Sequence, residues 1–248
     1  MVSVCMATYN GEKFIAEQID SVLQNLTDMD ELVISDDGSN DRTVDIVKKY
    51  LDIDNRIKFL YGPGKGVIAN FENAITHSKG DFIFLCDQDD VWSEKKCEII
   101  KREFEASKAL LIIHDAIIVD ESKRTVFQSF FRWRNSSNGL LNNFIKNSYI
   151  GCCMAFKRDL LNIVLPIPRA VPMHDQWIGL CGELIGKTSF INESLILYRR
   201  YDGNVSSLHH FSVGKMIYNR LILLLVFIKR IMRTMIINNC IYGKWWIK

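Results

Sequence analysis

Through its first 107 residues the chain alternates short apolar runs with segments of helical periodicity, and this constrains the fold more than any other feature. Val2–Met6, Glu31–Ser35, Arg56–Tyr61 and Asp81–Cys86 read as strands. Between them, Glu12–Gln24 sets Phe14, Ile15, Ile19, Val22 and Leu23 at helical spacing, and Asp41–Tyr50 turns Ile46 and Val47 inward. Val67–Ser78 reads as a helix stopped by Lys79-Gly80, and Ser93 as the cap of a helix running to Ser107. Strand–helix repeats of this length imply right-handed crossovers and a mostly parallel central sheet flanked by helices, an α/β fold. In such sheets ligands bind beyond the carboxyl ends of the strands.

Those ends carry the polar clusters. After the first strand comes Ala7-Thr8-Tyr9-Asn10-Gly11, small and hydroxyl residues suited to wrapping a nucleobase or ribose. After the second comes Asp36-Asp37-Gly38-Ser39-Asn40-Asp41-Arg42-Thr43. Gly38 serves the turn and Asn40 or Asp41 the cap of the next helix. Capping does not account for Asp36 and Asp37; a carboxylate accepts N–H bonds and can read the imide edge of uracil or thymine. The fourth strand, Phe82-Ile83-Phe84-Leu85-Cys86, runs directly into Asp87-Gln88-Asp89-Asp90. Three carboxylates in four positions repel unless solvent or a cation intervenes, and a hard divalent ion such as Mg²⁺ or Mn²⁺ takes oxygen ligands and keeps places for phosphates. A solvated acidic turn is the alternative. Neither GxGxxG after the first strand nor GxxxxGK[ST] is present, so a glycine nest for phosphate is not expected.

The second half is less regular. Leu110–Val119 reads as a strand, residues 124–150 as loop with a short helix near 140–146, and Tyr149–Phe156 as strand or bend followed by a short helix from Lys157. His174–Ile185 reads as a helix and Thr188–Tyr198 as one or two strands.

Lys and Arg together number 31 and Asp and Glu 29, a net charge of +2. Seven of the basic residues and none of the acidic ones fall in 212–248, leaving 24 basic against 29 acidic elsewhere. This tail contains Leu221–Ile228, eight apolar residues bounded by Arg220 and Lys229-Arg230, with Trp245 and Trp246 beyond. A spanning helix needs about 20 apolar residues, so the expectation is an amphipathic helix lying on an anionic membrane surface, with docking on its own domain or on a partner as the alternative. Its basic residues sit among bulky aliphatics rather than on a polar face, which argues against nucleic acid. The seven cysteines include no CxxC pair and read as reduced core thiols of a cytoplasmic protein. No basic leader precedes the first strand, so no secretory signal is expected.

Thr8-Tyr9-Asn10, the string Asp36-Asp37-Gly38-Ser39-x-Asp41-x-Thr43 and Asp87-x-Asp89, in that order, resemble family 2 glycosyltransferases of GT-A fold. The fuller Asp87-Gln88-Asp89-Asp90-Val91-Trp92 is similar to the rhamnosyltransferase-like branch that builds bacterial surface polysaccharides. The resemblance implies a domain over 1–211, with a nucleotide-binding half (1–92) and an acceptor half (93–211), followed by the helical tail 212–248. It implies an inverting, metal-dependent transfer of rhamnose or a hexose from a dTDP- or UDP-sugar to a hydroxyl of a glycan or lipid-linked acceptor, at the inner face of the cell membrane. By position, Thr8, Tyr9, Asp36 and Asp37 line the nucleoside pocket, Asp87 meets the ribose and Asp89 binds Mg²⁺ or Mn²⁺. In Met173-His174-Asp175-Gln176-Trp177, Asp175 takes the place of the general base, although an acid at a helix start also serves as a cap. Gly151-Cys152-Cys153-Met154-Ala155-Phe156 resembles the small-residue strand below the acceptor. In Tyr198-Arg199-Arg200-Tyr201, Arg199 and Arg200 are the candidate diphosphate contacts, and Tyr201 stands where the family carries histidine. Two alternatives accompany this reading: a sugar nucleotidyltransferase, and a catalytically silent relative acting as an assembly factor.

Overall fold

The structure, a computed structural model, describes residues 1–201 and 213–242, with side chains described to residue 234 in the last helix. The first strand β1 (Val2–Thr8) is buried at nearly every position, as expected of an apolar run covered on both faces. Helix α1 (Ile15–Leu23) buries Ile15, Ile19 and Val22 at i, i+4 and i+7. β2 (Glu31–Asp36), α2 (Thr43–Leu51), β3 (Ile57–Tyr61), α3 (Val67–His77) and β4 (Phe82–Asp87) complete the alternation. Asp41 accepts the Thr43 N–H at 2.9 Å just before α2, whose N-cap residue is Arg42.

A two-residue strand β5 (Val91–Trp92) leads to α4 (Lys96–Ser107). Ser93 does not cap α4 with its hydroxyl, which is buried without a partner among the described residues; its carbonyl accepts the Lys96 N–H instead. Then come β6 (Leu111–Val119), β7 (Thr125–Phe127), α5 (Phe130–Arg134) and α6 (Leu140–Ile145). A 3₁₀ turn at Gly151–Cys153 enters β8 (Met154–Lys157), and a second turn enters α7 (Leu161–Val164). α8 (His174–Ile185), β9 (Thr188–Arg199) and α9 (Val213–Tyr242) follow.

One sheet of nine strands runs β3-β2-β1-β4-β8-β6-β9-β5, with β7 on the side of β6. The strands β3, β2, β1 and β4 are all parallel. The mixture begins at β8, antiparallel to both β4 and β6, while β6 and β9 pair in parallel. β8 thereby joins the regular half to the acceptor half within one continuous core. The six cysteines with described side chains are free and buried.

The last helix packs on the acceptor half. Phe227 meets Trp177 edge to face at 6.0 Å, and the Arg230 guanidinium donates to the carbonyls of Ile163, Leu165 and Pro166. No helix among the described residues is long and apolar enough to cross a membrane. Trp245 and Trp246 lie outside the described residues.

Candidate active site

Parallel pairing puts three strand exits in one row. Thr8 is in register with Asp36, and Ala7 with Asp87. Buried Thr8 donates its hydroxyl to Asp36 Oδ2 at 2.9 Å. Asp36, 1% exposed, also accepts from the Ser39 hydroxyl and from the N–H groups of Gly38 and Ser39. These four bonds match the roughly four lone-pair sites of a carboxylate, so a base edge reaches Asp36 only by replacing a loop donor. Asp37 accepts from the backbone N–H groups of Gly64, Lys65 and Gly66, which fastens the β3–α3 loop to the rim. Gly62 has to be glycine there: a Cβ would stand 2.5 Å from Asn70 Oδ1 and 2.8 Å from the Asp36 carbonyl.

Tyr9 is exposed on the same rim. Its backbone exchanges two hydrogen bonds with the Gln88 side chain, each at 2.9 Å. The Gln18 side chain donates to the Asp87 carbonyl at 2.8 Å. The first and fourth strand exits are therefore tied together.

The acids after β4 differ in their surroundings. Asp89 is 9% exposed, and its Oδ2 accepts from the Tyr201 hydroxyl at 2.9 Å. Asp90 is fully buried, and its Oδ1 accepts the Arg199 N–H at 2.9 Å. Asp87, Asp90 and Cys152 each bring one potential ligand atom within 4.8 Å of the others. Beneath them is a buried lysine, Lys96, whose Nζ donates to the Cys152 carbonyl at 3.0 Å and sits 3.9 Å from the centre of the Trp92 ring.

Asp175, the second residue of α8, is 8% exposed and accepts the Gln176 N–H. Burial pushes its carboxyl up to about 6. Asp87 is pushed up to about 7, first by burial and then by the negative charges of Asp89 and Asp175. Burial also raises Asp89, against the Tyr201 hydrogen bond and the charges of Arg199 and Arg200, and it raises Asp90, with Asp89 and Asp87 adding to the effect. Asp87, Asp89 and Asp90, three carboxyls at one strand exit whose ionised forms burial disfavours, offer oxygen donors that fit a hard divalent cation. Asp87 and Asp90, with Cys152, bring ligand atoms together there, and Asp89 lies between the two acids in the loop.

His174 is buried and stacked on Phe71 at 4.2 Å, and neither ring nitrogen has a hydrogen-bond partner among the described residues. Burial pushes it down to about 3, so it stays neutral and shapes the start of α8. A Cβ on Gly151 would come within 3.0 Å of His174 Nε2, which accounts for one of the small residues below Asp175.

The two arginines separate. Arg199 is 2% exposed; it donates to the carbonyls of Asp89 and Glu121 and to Glu17 Oε2, each at 2.7 Å, and lies over the Phe14 ring. Arg199, the first of the two candidate diphosphate contacts, thus acts as a strut between β9, α1 and the acid loop. Arg200 is half-buried, bonds the Tyr198 hydroxyl at 3.0 Å, and acts on Asp89 through its charge. Tyr201 also packs edge-on against Phe14.

Sequence reasoning did not single out Asp90, Lys96 or Gln88. Asp90 stood inside the acidic run with nothing to mark it as the buried member. Nothing in the spacing marked Lys96 as buried, since Glu98 follows it within the first turn of α4.

A family model described as Glycosyl transferase family 2 matches residues 3–164. The putative teichuronic acid biosynthesis glycosyltransferase TuaG of Bacillus subtilis is 28% identical over 213 residues, covering 84% of this chain and 82% of that protein. Glycosyltransferase GlyG of Streptococcus pneumoniae is 26% identical over 223 residues, covering 83% and 72%. An uncharacterized glycosyltransferase of Nostoc is 26% identical, and this chain spans 66% of its length. Among solved structures, S. aureus TarS 1-349 in complex with UDP-GlcNAc superposes with a TM-score of 0.70 at 21% identity, over 90% of this chain and 65% of that one. The mannosyltransferase PcManGT of Pyrobaculum calidifontis, in complex with GDP-Man and Mn²⁺, gives 0.56 at 17% identity, over 78% and 54%. These two likenesses show the shared GT-A fold.

Proposed function

Because this chain belongs to glycosyl transferase family 2, we propose that it transfers rhamnose or a hexose from a dTDP- or UDP-sugar to a hydroxyl of a glycan or lipid-linked acceptor in surface polysaccharide synthesis. The observation that carries the reading is the parallel register that sets Thr8 beside Asp36 and Ala7 beside Asp87, so that the polar clusters of three strand exits lie in one row.

Thr8, Tyr9, Asp36 and Asp37 bound the nucleoside site, and Asp87 meets the ribose. Arg200 neutralises diphosphate oxygens beside Asp89. Asp175 accepts the proton of the acceptor hydroxyl as that oxygen bonds to the anomeric carbon. The bond from that carbon to the diphosphate breaks on the opposite face, so the configuration inverts. General-base assistance of this kind is worth ~10²–10⁴ in rate. A divalent ion bound by Asp89 would supply Lewis-acid stabilisation of the departing diphosphate. The reaction belongs at the inner face of the cell membrane, where nucleotide sugars meet lipid-linked acceptors.

The test is a panel of nucleotide sugars, screened first for thermal stabilisation with and without Mn²⁺ and then for hydrolysis or transfer. Asp89→Ala is expected to abolish turnover and Asp175→Asn to lower it by ~10²–10⁴ while still binding donor. Wild-type turnover in either variant overturns the assignments. The Tyr201–Asp89 bond favours a second reading, a catalytically silent assembly factor. Stabilisation by a donor without turnover would select it.

A further inference from the structure

Helix α9 has two opposed apolar faces. At about 100° per residue, Leu223, Phe227 and Arg230 share the arc that is buried against the acceptor half. Ile217, Leu221, Leu224, Leu225, Ile228 and Met232 share the opposite arc, and each is 40–64% exposed. Isolated exposed aliphatics are ordinary, but six aligned over four turns of one helix form a continuous patch. Basic residues border it: by the same geometry Lys215, Lys229 and Arg233 lie along one edge and Arg220 along the other, with no acidic residue anywhere on the helix.

This arrangement selects one occupant. A second copy seated on the patch about a two-fold axis would bring the basic borders of both copies together. An anionic bilayer takes the aliphatics into the boundary between headgroups and acyl chains and meets the borders with phosphate. We infer that this face of α9 is a membrane-contact surface, with the helix lying in the plane of an anionic phospholipid leaflet. The helix is fixed to the domain by Arg230 on the carbonyls of Ile163, Leu165 and Pro166 and by Phe227 on Trp177, two residues beyond Asp175. Seating α9 therefore sets the acceptor half against the lipid. The inference adds a site to the transferase reading, and its test does not depend on catalysis.

The test is co-sedimentation of the full chain with phosphatidylcholine vesicles, with and without phosphatidylglycerol. The wild type is expected to bind only vesicles that contain phosphatidylglycerol, and less tightly as salt rises. Each Lys or Arg near such a surface is worth about fivefold in binding, so Lys229→Ala/Arg233→Ala should weaken it about 30-fold. Leu221→Asp/Leu225→Asp should abolish it. Both variants alter exposed positions and are expected to keep the wild-type circular dichroism and melting temperature. Failure of the wild type to bind, or unchanged binding by the aspartate variant, overturns the proposal and leaves the transferase assignment standing. Conversion of a wild-type dimer to monomer by the aspartate variant overturns it in favour of a second copy.

Discussion

The Tyr201 hydroxyl donates a hydrogen bond to Asp89 Oδ2 at 2.9 Å, joining the second residue beyond β9 to the second residue beyond β4. A neutral phenol is a poor metal ligand, but from this position it orients the carboxylate. Hydrogen bonds to metal-binding side chains are typically worth 10–100-fold in affinity. Tyr201→Phe is expected to weaken Mn²⁺ binding by about tenfold, read by calorimetry or by the paramagnetic resonance of free Mn²⁺. Unchanged affinity would show that the hydroxyl has no orienting role.

The two neighbouring arginines should fail in different ways. Arg199 is buried in bonds to Asp89, Glu121 and Glu17, so Arg199→Ala is expected to cost ~2–4 kcal/mol of stability by leaving these acceptors unpaired. Arg200→Ala should stay within ~0.5 kcal/mol of wild type while raising the KM for donor. Denaturant titration and donor kinetics, measured on both variants, separate the strut from the diphosphate contact. Equal stability losses would undo the distinction.

His174 and Asp175 are adjacent, yet only the acid has hydrogen-bond partners among the described residues. His174→Leu is expected to keep kcat within about threefold, since the ring has no polar partner to lose among the described residues and packs as an apolar group against Phe71. Asp175→Asn should lower kcat by ~10²–10⁴ with the KM for donor little changed. A large kcat loss in the leucine variant, without loss of fold, would return the histidine to the chemistry.

Stability should depend on pH in a way that a divalent ion suppresses. Asp87 has its folded value raised to about 7, so the native state holds its proton where the unfolded chain, near the ordinary carboxylate value of about 3.9, has released it. The metal-free protein therefore gains stability as pH falls from about 8 to about 6.5, by ~1 kcal/mol for this group. Below about 6.5 the buried neutral His174 and His114, with folded values lowered by burial, pull the other way, because the unfolded state then binds the protons. Melting temperatures across this range, with and without Mn²⁺, check it: the added ion should stabilise most at the alkaline end. A metal-free curve that rises from pH 6.5 to 8 contradicts the charge balance described for the site.

Much of this was legible in the residues. The parallel half was plain because each strand is an apolar run and each helix keeps its period, as Ile15, Ile19 and Val22 illustrate. The same strand exits located Thr8, Asp36 and Asp87. Less could be read of the second half, where β8 pairs antiparallel on both sides and is entered through a 3₁₀ turn, so that no period marks it. The split between Arg199 and Arg200 was not legible either. Adjacent strand-end residues point in opposite directions, and which of them turns inward depends on the register of β9 against β6 and β5. Nor could spacing reveal that Asp36 bonds its own loop, because that depends on where the Ser39 hydroxyl comes to rest.

The bond from the Arg199 N–H to Asp90 spans 109 positions of chain. A protein made from its amino end can thus assemble the parallel strands and their loops well before the segment that closes over the acids exists. Until β9 emerges from the ribosome, the carboxylates after β4 stand open to solvent with neither Arg199 nor Tyr201 beside them. The nucleotide half would then acquire its shape early and its charge compensation late, so ribosome-bound intermediates halted before Thr188 should bind divalent ions differently from the finished molecule.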